Sequence, residues 1–534
     1  MAAADVHNPA MPTPSGKFPR IGSESQRELV TVRRTFLALV LLAAVTAAAR
    51  PVYIHGTAGK VEVLSSESPE KTKEFLYSLL EVRAQIAMLT GSTLMPDPPV
   101  HVVIFAQVKD LDDLVPASMH RADGRKAISF VVFRPWGGMV ALANDANYDS
   151  SRGLVLTAYA RFLLSQVAPA NERLWIIEGL PDALSTIDYT KGRIVIGRKA
   201  RDYDERISAR RLLPLGVLTD DKALGPYLDS FYRKSQLYCE AWSLWHLLLT
   251  DHDRSYDAGI ARFFDDLREG ETPDATTLAR DLGLTLDELQ SRRKEHASHG
   301  RATIERDPSA ADLMARLELA PADEIDRLVA LAIVGSDAKD GQPEIAAELL
   351  QAGAAHPESA RLREAAAILA AGSGDPGGAD YKWGLAREAG TSNPYPYLVA
   401  ANDTGILRST RISLDGSISG AEASHLRHPL DRCLELDPGC VEANLKLAWT
   451  EAIAPDPRAD QVARIARSQL PKSYPQFLLP LAIAKWRLGD RAEAHALLTS
   501  LGHSRLAPPP LKTTGAELQG LMVQREDASS PASK

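Results

Sequence analysis

Three cysteines in 534 residues are too few for a disulfide framework, and none stands at a C-x-x-C or other metal-ligating spacing. Positive charge is not in excess. Sixty-one Lys and Arg face 69 Asp and Glu, a net of −8, which leaves no general basic surface for nucleic acid. No apolar run reaches the ~20 residues that cross a bilayer; residues 36–49 come closest. A G-x-S-x-G elbow and a P-loop are both missing, and no Ser-His-Asp spacing singles out a triad. What remains, at 45% hydrophobic and 24% charged residues, is a globular chain long enough for about two to four domains.

The N-terminal 34 residues are rich in proline, serine and charge and predict a disordered leader ending in Val32-Arg33-Arg34. The apolar run that follows closes on Thr46-Ala47-Ala48-Ala49, so residues 35–50 read as a secretory signal, with an uncleaved membrane anchor or a buried helix as alternatives. Export to the periplasm or outside follows from the first reading, and anchoring in the inner membrane through 35–49 from the second. Beyond it, period and punctuation predict a strand at 58–65, an amphipathic helix at 67–89 and apolar strands at 100–105, 127–133 and 138–143. Helices dominate from residue 209, including 238–249 and 257–269. From about residue 309 to 506 the chain predicts paired helices with turn prolines at Pro357, Pro394, Pro438 and Pro471, and from 507 to 534 a disordered tail.

Residues 154–164 read LVLTAYARFLL, apolar nearly all round, with Thr157 and Arg161 four apart on one face. Downstream stands Leu174-Trp175-Ile176-Ile177-Glu178-Gly179-Leu180-Pro181-Asp182-Ala183. Zinc peptidases place two histidines at the same i, i+4 spacing, with a glutamate beside the first as general base. From about residue 61 to 296 the chain resembles the peptidase-MA-like, gluzincin-type domains of bacterial envelope proteins. Their V-x-H-E-x-x-H-x-L-L helix precedes a P-x-W-[IL]-x-E-G-[LI]-A-[ED] segment, whose glutamate is the third zinc ligand. Val102-Val103-Ile104-Phe105, Ile194-Val195-Ile196-Gly197 and Tyr238-Cys239-Glu240-Ala241-Trp242-Ser243-Leu244 resemble other stretches of that family, in the same order. Farther on, Cys433-Leu434-Glu435-Leu436-Asp437-Pro438 and Trp486-Arg487-Leu488-Gly489-Asp490-Arg491-Ala492-Glu493-Ala494 resemble degenerate tetratricopeptide repeats.

The resemblance implies an α+β zincin-like domain, a small sheet plus helices over residues 58–300, followed by an all-α repeat domain over 309–506. It also implies that the metal site is erased. Thr157, Ala158 and Arg161 occupy the positions of the first histidine, the base and the second histidine, leaving only Glu178. A threonine hydroxyl is a poor zinc ligand and a guanidinium is none, since it stays protonated. No catalytic residue, metal or cofactor is therefore expected, and Arg161, Glu178, Trp175 and Tyr238 are the candidate cleft residues. The expected function is binding of a peptide or protein partner through the cleft and the helical repeats. The rival is a zinc hydrolase using other ligands. Arg161 either replaces the metal in a buried pair with Glu178, whose loss would cost about 3–5 kcal/mol, or both side chains are solvated.

The remaining polar candidates carry less. His246 and His252, or His296 and His299, are poorly spaced for a shared metal. Arg210-Arg211 and Arg292-Arg293-Lys294 predict solvated faces, and Cys239 a buried small hydrophobe. Cys433 and Cys440 are either bridged or two free thiols.

Overall fold

Covalent neighbours alternate between two cores in the central sheet, and that alternation organises the molecule. The computed structural model describes residues 52–529 other than 93–97, 117–118, 120–126, 145–147, 168–172, 199–206, 208–211, 229–230, 251–253, 299–302, 339–341 and 403–413. The leader, the signal segment at 35–50, Arg210-Arg211, His252, His299 and residues 530–534 lie outside the described residues.

β1 (Ile54–Ala58) and β2 (Val61–Ser65) form an antiparallel hairpin. Its two-residue turn puts Gly59 at φ +62°, a conformation that favours glycine. The single strand expected at 58–65 is corrected to this hairpin. β3 (Val100–Phe105) lies parallel to β2, β5 (Gly137–Ala143) parallel to β3, and β4 (Ser129–Arg134) antiparallel to β5. β6 (Asp188–Thr190), β7 (Arg193–Ile196) and β8 (Ile304–Arg306) make a separate antiparallel sheet. β9 (Glu318–Pro321) then pairs with β1, giving the order β4-β5-β3-β2-β1-β9.

Both faces of this mixed sheet are covered, so its central strands β3 and β5 are buried at every position, with His101 the one polar side chain in β3. Val63, Val102, Ile104, Val140 and Leu142 pack with Phe75 and Leu79 of helix Pro69–Leu89 and with Tyr159 and Leu163 of helix Tyr148–Val167. Leu64, Val103, Phe105, Met139 and Ala141 face the other way, onto Leu328 and Ile333 of helix Glu324–Val334, Ile368 of helix Ala360–Gly372 and Trp383 of helix Pro376–Glu388.

This second core corrects the expected boundary. A front domain ending at 300 and a repeat domain starting at 309 would separate β8 and β9 from the strands they pair with, and strip one face of the sheet. From Tyr53 on, the described residues instead form one compact unit. Polar contacts reinforce the joint. On one side of it Glu62 of β2 accepts from the His55 ring at 2.9 Å and pairs with Arg361, which also donates to Asp326 at 2.8 Å. The buried His101 ring lies 3.2 Å from the same carboxylate. Farther along, Lys60 donates to the Leu436 carbonyl and Tyr474 to the Gln166 carbonyl.

Paired helices follow as expected. Ser359, Asp375, Ser419 and Asp490 cap their helices, each accepting from a backbone N–H three residues on. Pro438 lies in the turn between helices Gly420–Leu436 and Val441–Ile453, whereas Pro471 lies inside the short helix Leu470–Ser473 rather than in a turn. The expected disordered tail is corrected up to Ser529. Helix Pro509–Ser529 buries Leu518 and Met522 against Leu498 and Leu501, and Arg525 grips Asp415 with two bonds of 2.5 and 2.7 Å. Leu511, Leu518 and Met522 recur at helical spacing, and that stripe outweighs the polar composition around it. Among the described residues no helix is long and apolar enough to cross a membrane.

Candidate functional site

The helix Tyr148–Val167, here the site helix, is buried at Val155, Leu156, Tyr159, Ala160, Leu163 and Leu164, while Arg161 and Ser165 stand on its open side. Phe162 stacks on Phe133 of β4, centroids 3.8 Å apart and planes at 3°, which fixes the helix against the sheet.

Opposite its open side run the one-turn helix Leu174–Ile177, Glu178 at the joint, and helix Gly179–Leu184. Two tryptophans hold this segment. Trp175 stacks on Trp245 of helix Phe231–Leu249 at 5.7 Å and donates its indole N–H to the Pro273 carbonyl. The Trp245 indole in turn donates to the Trp175 carbonyl at 2.9 Å. At Gly179 the chain passes so near that helix that a Cβ would lie 2.7 Å from Trp245 Cδ1 and 2.8 Å from the Ala241 carbonyl carbon. Only glycine fits, so the E-G dipeptide aims the carboxylate by letting the backbone in close.

Two rungs connect the elements. Thr157 Oγ1 donates to Asp182 Oδ1 at 3.1 Å, and Arg161 Nη2 donates to Glu178 Oε2. Thr157 and Arg161 are one helical turn apart, and so are Glu178 and Asp182, whose N–H bonds the Glu178 carbonyl. Ala158 is half-buried beside them. The expected pair thus forms, but it is not buried. The Arg161 side chain is 43% exposed and that of Glu178 14%. Burial pushes the Glu178 carboxyl above its ordinary range; Arg161 and Lys234 pull it down, and Asp182 pushes it further up.

Two cleft candidates change role. Trp175 is wholly buried and belongs to the core. Tyr238 is half-buried against that core, its ring 5.8 Å from the Lys234 ammonium. Asp182, unnoticed in sequence, is the partner of the threonine; its place four residues after Glu178 was the available signal.

Elsewhere the structure assembles groups that sequence spacing kept apart. Arg293 is corrected from a solvated face to a fully buried cation. It pairs with Glu240, both side chains at 3% exposure or less, and donates to the Leu213 and Glu240 carbonyls at 3.0 and 2.9 Å. His246 meets His296 rather than a neighbour in sequence, ring nitrogens 2.7 Å apart, with the Gly197 carbonyl 3.1 Å from the other His246 nitrogen.

At the C-terminal end of the site helix lies a groove of about 490 Å³. Phe162 and Gln166 form part of one wall, Phe133 and Trp136 continue it, and Tyr395, Leu398 and Glu442 come from the C-terminal helices.

The donor set around Glu178 does not suit zinc: one hydroxyl is already given to Asp182 and the neighbouring cation is fixed in charge. Among the described residues no group of three or more His, Cys, Asp or Glu side chains is gathered for a metal. No family model matches the chain, and no curated protein matches it.

Proposed function

We propose that the chain is an exported, non-catalytic relative of the peptidase-MA-like gluzincins, joined to tetratricopeptide-like repeats, and that it works by binding an extended peptide segment of a protein partner. The observation that carries this reading is the pair of rungs at the motif positions. The two side chains standing where zinc ligands would stand are both bonded to carboxylates of the opposing segment. A site that neutralises its remaining glutamate with a guanidinium has replaced the charge a metal supplies, without the bound water a hydrolase needs.

The groove beside the site helix supports peptide as the ligand class. It is lined by aromatic and aliphatic side chains with Gln166 and Glu442 among its polar members, the composition that takes apolar side chains and orients a backbone. Its walls come from the sheet-bearing region and from the repeats, so both halves contribute to one surface.

Zinc content and hydrolysis of a generic peptide mixture, measured on the purified protein, test the first half of the reading. About one zinc per chain with turnover would overturn it in favour of a hydrolase with other ligands. Selection from a displayed peptide library tests the second half. Enrichment of sequences with aromatic or branched aliphatic anchors, and at least about tenfold weaker binding by Trp136→Ala, is expected; enrichment insensitive to Trp136→Ala places the binding surface elsewhere.

A further inference from the structure

The turn between helices Gly420–Leu436 and Val441–Ile453 brings two of the three cysteines together. Cys433 lies in the last turn of the first helix and is wholly buried; Cys440 is the N-cap residue of the second and half-buried. Both line the groove described above.

Their backbones are fixed. The Asp437 N–H donates to the Cys433 carbonyl at 2.8 Å, and the Cys440 N–H donates to the Asp437 carbonyl at 3.1 Å. Asp437 Oδ1 accepts from the Gly439 N–H at 3.0 Å. The buried Asn444 amide bonds the Pro438 and Cys440 carbonyls at 3.0 and 2.9 Å, and its own oxygen accepts from Arg464. Within this frame both side chains belong to one apolar cluster, Cys433 inside it and Cys440 packed against it, and both open onto the same groove.

We propose that Cys433 and Cys440 form a dithiol oxidation site, converted by a disulfide donor into an intramolecular Cys433–Cys440 bond that staples the two helices at the groove wall.

The two sulfurs differ in the way such a reaction requires. The Cys433 thiol and the Ala443 N–H beside the helix N-terminus hold Cys440 below the ordinary thiol range, while the Cys440 sulfur and burial push Cys433 up. Cys440, the outer group, is therefore the attacking thiolate. It bonds one sulfur of a donor R–S–S–R and expels one thiolate R–S⁻. Cys433 then surrenders its proton to that thiolate and attacks Sγ of Cys440, expelling the second R–S⁻, which takes up the proton Cys440 had released. Two protein thiols become one disulfide, and the donor gains two electrons and two protons as two R–SH.

The protein, first reduced with dithiothreitol, is exposed to oxidised glutathione and read by intact mass and by thiol counting after denaturation. Free thiols are expected to fall from three to one, with a mass loss of about 2 Da and a linked peptide joining positions 433 and 440. In Cys433→Ala the reaction stops at the mixed disulfide, so one glutathione stays attached at Cys440. In Cys440→Ser the adduct forms at least about tenfold more slowly, because the buried Cys433 must attack first. Three thiols surviving excess donor, a stable adduct on the unmutated chain, or a linkage through Cys239 or between chains would each overturn the proposal. The wild-type measurement decides even where a variant fails to fold.

Discussion

Arg161 and Glu178 meet across the gap between the site helix and the segment at 174–184, yet only the carboxylate is sheltered. The guanidinium keeps much of its contact with water, so the pair is worth far less than a buried one. Arg161→Ala should lower stability by about 1 kcal/mol, nearer an exposed pair than the 3–5 kcal/mol of a desolvated one. The pH dependence identifies the cause. Glu178 sits above the ordinary carboxylate range when folded, so its contribution favours the fold in acid and turns unfavourable as pH rises through its folded pKa. Arg161 offsets that cost only while Glu178 is charged. Urea titrations of wild type and variant should therefore differ at pH 7 and converge near pH 4; a gap that persists in acid would assign the loss to packing of the arginine stem.

Glycine at 179 is a packing requirement. Gly179→Ala drives a methyl into the Ala241 backbone and the Trp245 ring, neither of which can swing aside as the end of a flexible chain would. A loss of about 1–3 kcal/mol is expected. Because Trp175 and Trp245 stack beside this contact, near-ultraviolet circular dichroism should change with it. An unchanged denaturation midpoint and an unchanged tryptophan signal would mean that the segment is less closely seated than described.

Much of the site was legible because its signals are local. Thr157 and Arg161 share a face by helical period alone, and Trp175, Glu178 and Gly179 form a continuous motif. The strand at 100–105 was legible for the same reason, as six residues buried without interruption. What escaped was set by distant partners. Nothing near Arg293 marks it for burial, since its carboxylate stands on another helix at Glu240. Nothing near residue 318 says that β9 closes a sheet begun at residue 54. Gly59 was a local sign of the hairpin at 58–61, but an apolar run read as one strand concealed it. The tail failed differently: a polar, serine-containing stretch hid a stripe that pairs with Leu498 and Leu501.

The Glu240–Arg293 pair offers the opposite case to Arg161. Both side chains are out of water, burial pulls the Arg293 guanidinium below its ordinary value, and the Leu213 N–H also leans on the Glu240 carboxylate. Removing either partner leaves the other charge stranded, so Glu240→Ala and Arg293→Ala should each cost about 3–5 kcal/mol. Replacing both, as Glu240→Met with Arg293→Met, removes the stranded charge and should recover a large part of that loss. A double-mutant cycle by chemical denaturation measures the coupling. Additive losses would show that the two groups stabilise the fold independently.

The Glu62 cluster makes the joint between sheet and helices sensitive to pH from two directions. Burial alone would raise Glu62, but the His101 and His55 rings and the Arg361 guanidinium hold it far below the carboxylate range. Burial alone would lower His101, but Glu62, with Glu364 beyond it, raises the imidazole, against a smaller opposing push from Arg361. Asp326 completes the surroundings by holding His55 and Arg361 from the other side. A depressed carboxylate contributes stability above its unfolded pKa of about 4.3 and loses it as pH falls. A raised imidazole contributes stability below its unfolded pKa of about 6.5 and loses it as pH rises through the folded value. Stability from this cluster should therefore peak between the two and decline on both sides. Glu62→Gln should flatten the acid limb and remove the reason His101 is raised, so it should flatten the alkaline limb as well. His101→Gln should flatten the alkaline limb while leaving most of the acid limb, because His55 and Arg361 still hold Glu62 charged. Denaturation midpoints from pH 3 to 9 separate these outcomes, and an alkaline limb that survives both substitutions would assign it to another group.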